Sequence, residues 1–222
     1  CWKRTSKVDD LLESKLEYAF DSTRGYLTAC PTNLGTGLRA SVMVHLPGLV
    51  LTQQIGQVLA AISQVGLVVR GLYGEGTEAV GNIFQISNQI TLGPSEEEIL
   101  QNLGAVIRQI VEQERAAQQA LLKSHRPVVE DKVCRAFGLL TNARLLSSQE
   151  AVRLLSDVRL GHDLGILKET PYRVQNELLV LTQPAMMQRI ADEKMTEDVR
   201  DFKRAALVRQ RLSSQSIEEG DK

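Results

Sequence analysis

At Gly93-Pro94-Ser95 the chain changes character. Ser95 followed by Glu98 spells a capping box, and Glu96 and Glu97 suit the positive end of a helix. The helix started here is predicted to run to about Lys123, with Ser124-His125-Arg126-Pro127 as the best linker candidate. Residues 128–140, 148–159 and 196–213 read as further helices, with a loop-rich stretch near 161–172 and no confident strand. Upstream of Gly93 the pattern is different, because helical and β-like runs alternate. The chain therefore divides near residue 125 into a mixed α/β part, residues 1–124, and an all-helical part, residues 125–222.

Within the first part, residues 8–20 carry apolar side chains at helical spacing. Gly25–Cys30 is short and β-like, and a glycine-containing loop, Gly35-Thr36-Gly37, follows. Leu38–Leu46 reads as a strand, Pro47 opens a helix to about Val65, Leu67–Leu72 reads as a buried strand, and residues 82–92 alternate again. On the first of these strands Arg39, Ser41, Met43 and His45 share one face, while Ala40, Val42, Val44 and Leu46 share the other. A face led by Arg and Ser suits a phosphate-bearing ligand, since the guanidinium offers a fixed fork of donors. A solvated sheet face is the alternative reading. Arg70 ends the second strand beside Gly71, at a ligand-type position or in a surface ion pair.

The net charge of −1 provides no global field for nucleic acid or anionic lipid, so an anion site must be built locally. No apolar run approaches the ~18 residues of a membrane span, and no signal peptide is visible. Three cysteines, Cys1, Cys30 and Cys134, give neither metal-ligand spacing nor a disulfide framework, which fits a reducing cytoplasm. The histidines are equally scattered. There is no G-x-x-x-x-G-K-[ST] loop, and Gly74, Gly76 and Ala79 imitate a dinucleotide fingerprint only weakly, because Glu75 stands where a pyrophosphate must approach. In the helical part, Arg200 and Arg204 lie one turn apart, with Asp201 on the flank of their face. Two guanidiniums and a carboxylate suit a ligand that is anionic at one end and a donor at the other; a salt-bridged surface helix is the alternative.

The run Cys30-Pro31-Thr32-Asn33-Leu34-Gly35-Thr36-Gly37-Leu38-Arg39-Ala40-Ser41-Val42 resembles the signature of the ATP:guanido phosphotransferases. The likeness continues through Val69-Arg70-Gly71, Gly74-Glu75 and Ile86-Ser87-Asn88. It implies an α+β fold, an antiparallel guanido kinase sheet flanked by helices, here N-terminally truncated and followed by an all-helical domain. By resemblance, Arg39 and Arg70 grip nucleotide phosphates, and Ala40, Ser41, Val42, Met43, Gly71, Leu72, Tyr73 and Gly74 line the ATP site. Glu75 positions the acceptor guanidinium and helps to deprotonate it, and Cys30 tunes that guanidinium electrostatically. ATP and Mg²⁺ are the implied cofactors, and loose, anionic phosphoryl transfer is the implied chemistry.

Met43 and Gln85 depart from the small-molecule members, which commonly have His and Asp there, and this points away from free arginine or creatine. The helical part resembles that of the bacterial protein-arginine kinases, whose RDxxRA motif is matched by Arg200, Asp201, Arg204 and Ala205 and binds phosphoarginine as a regulator. Leu155–Gly161 looks similar as well. The resemblance implies a homodimer, arginine-bearing protein substrates that include a stress-response transcriptional repressor, a Clp-type unfoldase and protease, and a zinc-binding activator protein. It implies no membrane and no direct nucleic-acid contact. A free-arginine kinase and a phosphoarginine-binding or dimerisation module are the competing expectations. The chain begins Cys1-Trp2-Lys3, and it contains neither the arginine-rich SRxRxxR segment nor the acidic NEEDH segment of full-length members. The N-terminal part of the active site is therefore expected to lie elsewhere.

Overall fold

The structure, a computed structural model, describes residues 1–71, 80–168 and 170–213. Helix α1 spans Trp2–Glu13, shorter at its C-terminal end than the periodicity suggested. Strands β1, Phe20–Asp21, and β2, Gly25–Tyr26, form a small antiparallel hairpin. Its turn is closed by the Asp21 carboxylate, which accepts from the Thr23 hydroxyl and the backbone N–H groups of Thr23 and Arg24. After a 3-10 turn at Pro31–Asn33 comes β3, Ser41–His45. The helix expected from Pro47 to Val65 is two helices, α2, Pro47–Leu51, and α3, Ile55–Gln64. The break falls at Gln53, whose φ of 60° ends the helical path. Strands β4, Leu67–Gly71, and β5, Ile83–Asn88, complete a three-stranded antiparallel sheet in the order β3-β5-β4.

The period-two pattern decides which sheet face is buried. Val44, Phe84, Ile86 and Leu67 turn inward onto Leu46, Leu49 and Ile62. Helix α4, Glu96–Asn142, closes this core with Leu103, Ile110 and Ala117. Its capping box is formed as expected: the Ser95 hydroxyl accepts from Glu98 N–H, and the Glu98 carboxylate accepts from Ser95 N–H. The linker expected at Ser124–Pro127 is instead a kink inside this helix. His125 leaves helical geometry at φ −137° and ψ 30°, two residues before Pro127, which has no N–H to give.

Among the described residues four further helices follow: α5, Ser148–Asp163; α6, Tyr172–Leu181; α7, Pro184–Ala191; and α8, Glu197–Ser213. Helices α6 and α7 had no counterpart in the sequence reading. Val133, Ala136 and Leu140 of α4, Leu155 and Val158 of α5, Val174 and Leu178 of α6, and Ala205 and Val208 of α8 share a second core. Among the described residues no helix is long and apolar enough to cross a membrane.

The two cores meet along one seam. His45 at the end of β3 lies 2.8 Å from the Ser156 hydroxyl of α5, which also accepts from the Asn82 side chain at 2.9 Å. Gly81 packs directly on α5, where a Cβ would sit 2.8 Å from the Val152 carbonyl, and its φ of 67° is one that glycine adopts freely. The buried Glu114 carboxylate of α4 accepts from the N–H groups of Gly48 and Leu49 at 2.7 and 2.9 Å, which fixes the start of α2.

Candidate active site

Alternation along β3 is as expected. Arg39, Ser41 and Met43 are exposed, whereas Ala40, Val42 and Val44 turn to the core. Strand register then shows what shares the outer face. Met43 pairs with Gln85, which pairs with Arg70, so these three residues form one row across the sheet. Ser41, Ser87 and Val68 form the next row. Arg70 therefore belongs to the outer face, and Arg39 is exposed on the loop two residues before Ser41. Arg39 lies on the loop four residues before Met43, and Arg70 lies about 10 Å across the sheet from Met43. Two extended arginine side chains can converge on one polyphosphate across that span. Gln85 donates to the Ser41 hydroxyl at 3.1 Å, linking the two rows.

The loop that delivers Arg39 is held from below. Asn88 is 3% exposed, accepts from Ala40 N–H at 2.8 Å, and donates to the carbonyls of Leu38 and Ile90. The Thr91 hydroxyl makes hydrogen bonds to the carbonyls of Thr32 and Leu34, at 3.0 and 2.8 Å. Gly35 crosses Thr91 so closely that a Cβ would lie 2.3 Å from the Thr91 carbonyl, and its φ is +105°. The glycines and Asn88 of the sequence signature thus shape the loop, a role that the sequence alone did not assign to Asn88.

Cys30 sits exposed on the same loop, its Sγ 3.0 Å from the Thr32 hydroxyl. Its thiol pKa is lowered, first by the Thr32 hydroxyl, then by the Thr32 backbone N–H, and least by the charge of Arg39. The structure thus brings Cys30 and Arg39 into one electrostatic neighbourhood at the edge of the outer face. Gly71 is buried at the end of β4. Leu72, Tyr73, Gly74 and Glu75 lie outside the described residues.

The second arginine cluster is built differently from the expected open face. Arg204 is 1% exposed. Its Nε donates to the Thr182 carbonyl and its Nη1 to the Leu146 carbonyl, each at 2.7 Å, and Nη1 also meets the Asp201 carboxylate. The Asp201 backbone carbonyl accepts in turn from Leu146 N–H. Arg204 is therefore a brace between α8, the end of α6 and the loop before α5. Its neighbours remove it from solvent. Arg200 is half-buried and donates to the Met195 carbonyl at 2.9 Å, and Ala205 is fully buried.

Sequence reasoning left His45 unassigned. Burial, and then the positive charge of Arg159, push its pKa down to about 3. It is a neutral hydrogen-bonding residue in the seam, and no spacing rule applied to one strand identifies it.

The family model described as ATP:guanido phosphotransferase, C-terminal catalytic domain, matches residues 1–117. That of the protein-arginine kinase McsB C-terminal domain matches residues 126–222. The chain belongs to the ATP:guanido phosphotransferase family. It is similar to the protein-arginine kinase of Brevibacillus brevis, 59% identical over 211 residues, which are 95% of this chain and 59% of that protein. It is likewise similar to the protein-arginine kinase of Bacillus subtilis, 55% identical over 210 residues, 95% of this chain and 58% of that protein. The chain spans about three-fifths of the length of these curated relatives. Among solved structures, that of a lombricine kinase is 34% identical, covers 54% of this chain and 32% of its own, and has a TM-score of 0.46.

Proposed function

We propose that this chain carries the ATP-handling part of a protein-arginine kinase, which transfers the γ-phosphoryl group of ATP to arginine side chains of proteins. The observation that supports this reading is the exposed Arg39 on the loop into β3, which, after Thr32, lowers the Cys30 thiol pKa, beside the sheet face that carries Arg70. Phosphoryl transfer passes through a loose, anionic transition state, so fixed guanidiniums supply charge stabilisation and alignment. Arg39 and Arg70 would hold the phosphate oxygens. Cys30 would place partial negative charge beside the acceptor guanidinium, and Glu75 would orient that group and take its proton. Mg²⁺ would arrive on the nucleotide, held by phosphate oxygens, and add charge neutralisation.

The names of the relatives favour a protein substrate over free arginine, and Met43 and Gln85 agree with that choice. Incubation of the protein with γ-labelled ATP and either protamine or free L-arginine tests it. Acid-labile label on protamine and none on free arginine is the expected result. Label on free arginine alone would make it a small-molecule kinase, and label on neither would leave a binding module.

A regulatory phosphoarginine site on α8 belongs to the same proposal. Arg200 lies in the first turn of α8, where the helix dipole favours an anion, and Arg204 and Asp201 would frame it. Cytoplasmic stress response, a homodimer, a repressor substrate, a Clp-type protease and a zinc-binding activator complete this reading. Calorimetry with phosphoarginine should show binding that Arg200→Ala abolishes. Undiminished binding by that variant would remove the site from α8.

A further inference from the structure

Residues 72–79 run between the buried Gly71 of β4 and the 3-10 turn Val80–Asn82 that leads into β5, and Glu75 is one of them. That turn is held to one path. Gly81 and Asn82 are both left-handed, at φ 67° and 56°, a conformation that glycine adopts freely and asparagine tolerates better than most residues. The Asn82 carbonyl accepts from Leu46 N–H at 2.9 Å, which joins the turn to the end of β3. Helix α5 of the helical part grips it as well. Gly81 packs on Val152, where a Cβ would meet the side chain at 2.6 Å and the carbonyl at 2.8 Å. The Asn82 amide donates to the Ser156 hydroxyl at 2.9 Å, and that hydroxyl lies 2.8 Å from Nε2 of His45. Ser156 is 3% exposed, between turns of α5 that bury Val152, Leu155 and Val158. A hydroxyl in such apolar company is unfavourable unless its bonds are made, and this one accepts from Asn82 and has its own proton to give to the neutral imidazole. Helix α5 is itself anchored. Leu146, just before its N-cap Ser147, exchanges backbone bonds with Asp201 and Arg204, and Asp157 is paired with Lys132 of α4 at 2.8 Å.

We infer that α5 is a positioning element for phosphoryl transfer: through Ser156 and Asn82 it sets where the chain that carries Glu75 rejoins the sheet. The inference rests on the reading of Glu75 as the residue that orients the acceptor guanidinium. In-line transfer is a placement problem, and a displacement of about 1 Å can cost on the order of a hundredfold in rate. An anchor seven residues after Glu75 acts on that placement without touching substrate. Asn82 and Ser156 are therefore positioning residues, with Gly81 giving the close approach that lets Asn82 reach the helix. The helical part contributes to the reaction through this contact, independently of any ligand on α8.

Hydrogen–deuterium exchange on the protein and its variants reads the tether without requiring turnover. Ser156→Ala and Asn82→Ala should each speed exchange across residues 72–79 by about fivefold or more and leave β4 and the core of α5 near wild type. Val158→Ala, which removes packing from the same helix but no bond to the turn, should lower the melting temperature without this local effect. Unchanged exchange at 72–79 in both tether variants overturns the inference, and so does equal acceleration by Val158→Ala, which marks a general loosening. Kinetics with ATP and protamine give the second readout. Ser156→Ala should lower kcat about tenfold and leave KM for ATP within about twofold of wild type. A loosened segment with wild-type kcat would make the tether structural only and overturn its role in the reaction. Glu75→Gln separates the two levels: wild-type transfer by that variant removes the reading of Glu75, whereas slow transfer by it beside wild-type transfer by Ser156→Ala removes only the role of α5. A chain without turnover removes the functional reading, and exchange alone then decides the tether.

Discussion

Arg39 and Arg204 are both singled out by local sequence pattern, and they have opposite fates in the fold. Arg39 is exposed on the loop that leads into β3, and Arg70 is half-buried on β4, in the row of Gln85 and Met43. Arg204, on α8, is sealed between backbone carbonyls from two other elements, and Arg200 beside it is half-buried. A guanidinium whose donors are already matched by the protein contributes to the fold, and one presented on an open face is available to a ligand. Residue type and local spacing do not distinguish these cases; the partners brought in by tertiary structure do.

The difference can be broken most directly at Arg204. Arg204→Ala leaves two buried carbonyls and the Asp201 carboxylate without their donor, and should cost about 3–5 kcal/mol in urea unfolding. A midpoint close to wild type would mean that Arg204 is not a brace. On the sheet side the comparable structural residue is Asn88. Asn88→Ala strands Ala40 N–H and two carbonyls, and should cost about 2 kcal/mol and loosen ADP binding through Arg39. Unchanged stability would show that the loop holds itself.

The seam between the two regions has its own signature. The pKa of His45 is depressed to about 3 in the folded state against an ordinary value of 6.5, so the folded protein keeps it neutral. The unfolded chain takes up that proton as pH falls below 6.5. Its contribution to stability is therefore complete above that pH and is lost down to about pH 3, by at most about 1.4 kcal/mol per pH unit. His45→Gln should flatten the acid limb of a stability–pH curve, and an unchanged limb would place the titration elsewhere. The smallest expected effect is at Cys30. Thr32→Val should move the pH midpoint of Cys30 alkylation upward, and Arg39→Ala should move it upward by less. The opposite order would separate Cys30 from Thr32.

Legibility followed the same division. The outer face of β3 was readable because a strand repeats every two residues, and the inward set Val42, Val44 and Leu46 confirms it. That Arg70 joins this face depends on register through β5, which no local pattern encodes. The capping box at Ser95 marked the start of α4, whereas Pro127 suggested a linker where the packed helix absorbs a kink. Burial of Arg204 was invisible because its carbonyl partners are 22 and 58 residues away in the chain. Helices α6 and α7 were missed among polar residues and prolines, although Pro184 stands at the first turn of α7, where proline is well tolerated.

The central claim is that the outer sheet face binds the nucleotide phosphates and that the α8 arginine supports the fold. Thermal unfolding with and without saturating ADP, run on Arg39→Ala and Arg204→Ala together, tests both halves in one experiment. Without ADP, Arg39→Ala should melt within about 2 °C of wild type and should show a clearly smaller stabilisation when ADP is added. Arg204→Ala should melt well below wild type and still be raised by ADP. An undiminished ADP shift in Arg39→Ala, or a wild-type melting temperature in Arg204→Ala, would contradict the account.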